Sequence, residues 1–311
     1  MTIFTASTAD RVLACPSSLT LPQTKVPSSP AAAHGIAVHE FLHDYAVTGT
    51  WGTRIPDGVR IDRAAIDALL SRGECKPELV LSWDPETDTG KAHPGLSGRD
   101  YRSIPGVAGT ADLVIFTSEG LEIWDYKTGR PGSVRESGQM LALAVAASRA
   151  YGVPKVTVGF AVIDTDTGAV ELESYELDVF DLDWAVDRFR QAIAAIKGPP
   201  VFNEGYHCKY CPGFRACPAK LKTAREVLAI AEPNVAAMTP DVVGRLWLKS
   251  KDAQALLDTI AKSIREYVET QPLTLPGGGR VELRSIQATR KKTIQTGETE
   301  TYSYKKLQVV K

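Results

Sequence analysis

The stretch "GTADLVIFTSEGLEIWDYKTGR", residues 109–130, decides the fold. Two apolar runs flank Thr117-Ser118-Glu119-Gly120, which predicts a β-hairpin closed by a glycine-containing turn. Its polar residues sit at odds with that packing. Asp112 stands at the start of the first run, and Asp125 and Lys127 stand at the end of the second. Alternate residues of a strand share a face, so Leu121, Ile123, Asp125 and Lys127 point one way. The aliphatic pair packs, while Asp125 and Lys127 project from the end where the strands open. Closing the turn brings Asp112 near Asp125. Two adjacent carboxylates repel unless a cation sits between them, and hard oxygen ligands suit Mg²⁺ or Mn²⁺. Lys127 adds a positive charge able to stabilise a pentavalent phosphate or orient an attacking water. The pattern therefore fits metal-assisted phosphodiester hydrolysis. It equally describes a solvated hairpin end carrying an Asp–Lys ion pair.

Working outward, "SVRESGQMLALAVAASRAYG" (133–152) predicts a helix stopped by Gly152. Strands follow at 155–163 and 169–179, then a helix at 182–198 closed by Gly198-Pro199-Pro200. Upstream, helices are expected at 8–15, 31–47 and 63–73. In 31–47, Ile36, His39, His43 and Ala46 fall at helical spacing. Residues 84–106 read as a Gly/Pro/Asp-rich loop, and Cys75 falls in a loop "RGECKPE". Downstream, helices are expected at 220–232 and 240–270, followed by a polar, β-prone end. This order predicts an α/β fold, a mixed central sheet flanked by helices, with a small helix-rich C-terminal region. The expected division is a core over 1–220 and a helical region with a basic polar tail over 221–311.

The chain's 311 residues are 43% hydrophobic and 23% charged, ordinary for a globular protein. A net charge of −1 gives no global basic footprint, so nucleic-acid contact requires a local patch. No apolar run reaches the length of a membrane span, and residues 1–18 lack the pattern of a secretory signal. The expected location is the cytoplasm, where the five cysteines serve as thiols or metal ligands rather than disulfides. Residues 280–311 hold eight Lys/Arg against three Glu, with Tyr302 and Tyr304 among them. Such interleaving can touch single-stranded DNA, or simply form a solvated surface.

Two further motifs have the spacing of metal ligands. His39-Glu40-Phe41-Leu42-His43 is a literal H-E-x-x-H, the pattern of a zinc metalloprotease helix. A catalytic zinc needs a third ligand, and Ala46 and Gly49 occupy the places where the extended motif would supply it. "CKYCPGFRACP" gives Cys208-x₂-Cys211-x₅-Cys217, three thiolates with a fourth position open for a tetrahedral ion or a cubane. His207 fills that position locally, giving zinc; Cys15 fills it from the other end of the chain. Cys75 is incidental.

The segments "GTADLVI", "LEIWDYKTGR" and "GQMLALAVAA" together resemble the PD-(D/E)XK nuclease superfamily, in its RecB-like branch of AddB-type helicase–nucleases, CRISPR adaptation nucleases and phage nucleases. The resemblance implies a restriction-endonuclease-like core. It places the catalytic roles on Asp112, Asp125, Lys127 and Gln139. Ala111 stands where Pro is common, and Leu143 stands where a Tyr usually follows the Gln. The branch also carries G-x-x-x-H-E on its first helix, matched by Gly35 to Glu40. It thereby implies His39 as a metal ligand beside Asp112 and Asp125. Members with an iron–sulfur cluster use one Cys before the core and three after it, implying [4Fe–4S] on Cys15, Cys208, Cys211 and Cys217, with zinc as the alternative. The expected function is a Mg²⁺- or Mn²⁺-dependent deoxyribonuclease acting on single strands or duplex ends in recombination or repair, with a recombination or helicase partner and no membrane. A non-catalytic DNA-binding or assembly module of the same fold, and the zinc protease, are the rivals.

Overall fold

The computed structural model describes residues 2–23, 30–52, 55, 58–96, 100–222, 238–274, 280–291 and 299–310. The chain divides into two compact units, Met1–Gly213 and Phe214–Lys311.

The first unit is a three-layer α/β arrangement built on a seven-stranded mixed sheet. Its strands are β1 (Thr2–Thr5), β2 (Glu74–Asp84), β3 (Thr89–His93), β4 (Gly106–Phe116), β5 (Leu121–Lys127), β6 (Val156–Ile163) and β7 (Val170–Leu177). The order is β3-β2-β4-β5-β6-β7, with β1 added to β4 in parallel. The expected hairpin is β4–β5, antiparallel from Phe116↔Leu121 to Leu113↔Trp124. β5 then pairs β6 in parallel through the crossover helix α4 (Gly138–Tyr151). The mixed sheet flanked by helices expected from the sequence is present.

Two apolar layers cover the sheet. On one side α4 lies against Leu121 and Ile123 and is itself covered by α1 (Ala9–Ala14) and α5 (Val179–Lys197). That double coverage explains a helix buried from Met140 through Ser148. On the other side α2 (Pro30–Thr48) and α3 (Arg63–Leu70) pack Val38, Phe41, Leu42, Tyr45, Ile66 and Leu69 over Leu113, Ile115, Trp124 and Tyr126. Burying each such side chain is worth about 1.5–3 kcal/mol. Local signals set the helix ends. Ser137 caps α4 through Met140 N–H, and Gly152 takes the left-handed conformation at φ 65°.

Several expectations need correction. Residues 74–84 form a strand, so Cys75 lies on β2 rather than in a loop; no strict alternation marked it, because its inner half is continuously buried. The expected loop 84–106 contains β3. The buried face of α2 is Val38, Phe41, Leu42 and Tyr45, while Ile36 is 53% exposed. In the second unit, described residues form α6 (Pro240–Thr270) and a three-stranded sheet of β8 (Leu273–Thr274), β9 (Arg280–Lys291) and β10 (Thr299–Val310). The polar, β-prone end expected from the sequence is a long antiparallel hairpin. Of the helix expected at 220–232, residues 223–232 lie outside the described residues.

Candidate active site

β4 begins earlier than the apolar run suggested, at Gly106, because its first residues pair with β1 and β2. One edge of β4 is shared. β1 takes it up to Ala108 and β5 takes it from Leu113 onward. Asp112 sits beside this fork, one residue past the last β4–β5 pair, and Asp125 follows Trp124 on the other strand. Past the fork the sheet leaves backbone donors free. The Asp112 carboxylate meets one of them, its Oδ2 accepting from Tyr126 N–H at 2.9 Å. Burial is nearly complete, with Asp112 6% and Asp125 3% exposed.

Helices from both layers reach this point. His39, on the rim of the α2 packing face, places Nδ1 3.1 Å from Asp112 Oδ2. Its ring also meets Tyr126 edge-on at 6.0 Å. From the first turn of α4, Gln139 Nε2 donates to Asp125 Oδ1 at 2.6 Å. Lys127 Nζ lies 2.5 Å from Asp125 Oδ2 and donates to Gln139 Oε1 at 3.4 Å. It also sits 5.2 Å over the Phe160 ring. Gln139, Asp125 and Lys127 therefore close a ring of polar contacts. All five residues singled out in the sequence, from His39 to Gln139, converge at the opening of the hairpin.

Two glycines permit the approach. A Cβ at Gly138 would lie 2.7 Å from Asp10 N, and Gly138 N–H donates to Asp10 Oδ1 at 2.7 Å. This ties the start of α4 to α1 and fixes Gln139. A Cβ at Gly35 would meet Thr128 Oγ1 at 3.2 Å, a tight contact where α2 comes close to the loop after β5.

The electrostatics are those of a site short of positive charge. Burial first, then the charge of Asp112, pushes the Asp125 carboxyl up to about 6, against Lys127 and His39. Burial lowers the His39 pKa, but contact with Asp112 and the charges of Asp112 and Asp125 outweigh it and leave it raised above 6.5. Asp125 Oδ2 and His39 Nδ1 are buried and make no aligned hydrogen bond, despite their ion-pair neighbours. Two carboxylates and an imidazole with unsatisfied acceptor capacity make a donor set of the hard O/N type that Mg²⁺ or Mn²⁺ takes. Ion pairs hold these side chains, and among the described residues no three His, Cys, Asp or Glu already stand grouped as metal ligands.

A cleft of about 820 Å³ opens onto this cluster, lined among others by Asp10, His39, Lys127, Arg130, Gln139 and Tyr210. A second of about 820 Å³ runs along α2, past His39, Glu40, His43 and Leu96. His39 forms a wall of both. Glu40 is exposed, whereas His43 Nδ1 is buried without a partner. Sequence reasoning missed Asp10, Arg130, Phe160 and Tyr210. Only Asp10, an acidic residue in the first turn of a helix, carried a local signal.

The cysteine segments are placed separately. Cys15 and Cys208 are buried, and Cys211 is half-buried. The segment leading to Cys208 is stitched to that of Cys15. Asn203 Nδ2 donates to Ala14 O at 3.0 Å, and Val201 N–H donates to Ser17 Oγ at 2.9 Å. His207 Nε2 lies 3.8 Å from Cys208 Sγ. Cys217 belongs to the second unit, where its N–H donates to Phe214 O at 3.3 Å.

A family profile described as "Protein of unknown function (DUF2800)" matches residues 100–306. The chain belongs to the DUF2800 family. The span shared with DUF2800 includes Asp112, Asp125, Lys127, Gln139 and the 208–217 cysteines, while His39 and Cys15 precede it. The crystal structure of SSO0001 is similar at 15% identity and a TM-score of 0.36, over 70% of this chain and 86% of that one. Comparison with curated proteins finds no match. Among the described residues no helix is long and apolar enough to cross a membrane.

Proposed function

We propose that this DUF2800 chain is a divalent-metal-dependent deoxyribonuclease of the RecB-like PD-(D/E)XK type. One observation carries the reading. Asp112, Asp125, Lys127 and Gln139, matched to that pattern by sequence, gather at one strand fork, with Lys127 and Gln139 lining the adjoining cleft. An isolated surface ion pair would need neither burial of both carboxylates nor a helix-borne amide to brace one of them.

In this reading Asp112, Asp125 and His39 would hold a divalent cation, which when bound would supply Lewis-acid polarisation and a lowered pKa for water. The protein's own groups do the rest. Lys127 places an ammonium beside Asp125, where it stabilises negative charge building on the phosphate oxygens. Gln139 holds Asp125 Oδ1 and bears on Lys127, fixing the geometry between them. Tyr126 N–H donates to Asp112 Oδ2 and fixes the orientation of that carboxylate. Arg130, exposed on the loop after β5, offers a bidentate donor to the backbone of a bound strand. Cys15, Cys208, Cys211 and Cys217 would hold the [4Fe–4S] cluster, a structural staple between distant parts of the sequence.

The test is cleavage of single-stranded and duplex DNA with Mg²⁺ or Mn²⁺, run beside a casein digest with Zn²⁺. Asp125→Ala and Lys127→Ala should each abolish DNA cleavage while the protein stays folded. Normal cleavage by the Asp125→Ala protein would sink the assignment. Casein digestion lost on Glu40→Ala would put the metalloprotease in its place.

A further inference from the structure

The geometry points to a base-stacking platform for single-stranded DNA formed by Tyr206, Lys209 and Tyr210 at the mouth of the candidate active-site cleft. This inference rests on the nuclease reading for what happens to the strand, but not for its binding. The three residues lie on one tight turn, Tyr206–Tyr210, that follows the extended segment from α5. Tyr206 is 80% and Tyr210 64% exposed, large apolar rings that the fold has not buried. They are nonetheless ordered against each other, edge to face at 6.3 Å between centroids. Lys209 Nζ lies 5.1 Å from the Tyr210 centroid and 6.0 Å from that of Tyr206. Tyr210 shares the cleft with Lys127, Gln139 and Arg130.

Exposed rings bearing a cation match the chemistry of an unpaired nucleotide. The bases stack on the aromatic faces and the phosphates meet the ammonium, at about 1–3 kcal/mol per stacked base. In a duplex the base faces are already occupied by their neighbours, so the platform discriminates for single strands or frayed ends. Lys209 over the Tyr210 ring, and Arg130 and Lys127 lining the cleft with Tyr210, supply the positive charge for the phosphates. The neutral overall charge of the chain makes such a local patch necessary for DNA contact.

The test separates binding from cleavage. Fluorescence anisotropy with labelled oligo-dT and a blunt duplex of equal length, in EDTA so that no cleavage occurs, gives Kd for each. Tyr206→Ala and Tyr210→Ala should each weaken oligo-dT binding at least about 5-fold, the equivalent of about 1 kcal/mol, with duplex binding nearly unchanged. The Phe variants should restore it, because the ring is kept. Lys209→Gln should lower the log–log salt slope for oligo-dT by about 0.7, one phosphate contact. Unchanged oligo-dT binding by the Tyr206→Ala/Tyr210→Ala protein, or equal weakening for single strand and duplex, overturns the platform. Loss of oligo-dT binding by those variants, in a wild-type protein that cleaves no DNA with any metal, upholds the platform and fells the nuclease.

Discussion

Replacing Asp125 by Asn should stabilise the metal-free protein, and more so as the pH rises. The carboxyl is raised from 3.8 to about 6 because the folded state buries it beside Asp112. A carboxyl raised by folding is a stabilising proton-binding site at low pH and a burden once ionised. Its contribution is complete below about pH 4 and is lost as the pH climbs through 6. At about 1.4 kcal/mol per tenfold change in proton affinity, the ionised group costs the fold roughly 3 kcal/mol at pH 8. The substituted amide would keep an oxygen for Gln139 Nε2 while removing the charge, and Lys127 is exposed enough to turn toward water. His39, also raised, works in the same direction, since its proton too is lost as pH rises. Urea unfolding in EDTA, followed by tryptophan fluorescence in a Trp247→Phe background, reads the first unit, where Trp83 and Trp124 are buried. The margin of Asp125→Asn over wild type should grow by about 2 kcal/mol between pH 4.5 and pH 8. Mn²⁺ should erase most of the wild-type decline by binding the ionised form. An Asp125→Asn protein less stable than wild type at pH 8, or a difference independent of pH, would refute the argument.

The other predictions are narrower. His39→Ala should lower nuclease activity and shift the Mg²⁺/Mn²⁺ preference, because it removes the Asp112 partner, while His43→Ala should matter much less; equal and total loss from both with Zn²⁺ dependence would favour the protease helix. Anaerobically purified protein should be brown, with about four irons per chain if the cubane forms, and Cys15→Ala should bleach it as fully as Cys211→Ala while Cys75→Ala does not. Colourless protein with one zinc, indifferent to Cys15→Ala and disrupted by His207→Ala, would replace the cluster with a local zinc site.

Much of the first unit was legible because its signals are local. Gly120 and the flanking apolar runs specify β4–β5, Ser137 and Gly152 delimit α4, and the Asp125/Lys127 spacing places both on one face whatever the strand packs against. Strand β2 was not legible: its inner residues are buried, and pairing of Pro77 with Leu113 and Leu79 with Ala111 carries the strand past Glu78, which sits at φ 49°. Gln139 was the least secure site residue in sequence, since Leu143 departs from the usual pattern. Its contact with Asp125 depends on α4 lying over β5.

The sequence by itself therefore determined the composition of the site: which carboxylates, which lysine, which histidine and which amide. Residue type and the two-residue period of a strand speak for Asp125 and Lys127, whereas His39 and Gln139 rest on the family resemblance. Only the tertiary structure decided that β1 and β5 divide one edge of β4, that α2 and α4 approach from opposite faces, and that Tyr210 lines the same cleft. Those facts rest on contacts between residues tens to more than a hundred positions apart, such as Asp10 with Gly138. Packing of whole elements fixes such contacts, and no local stretch of chain encodes them.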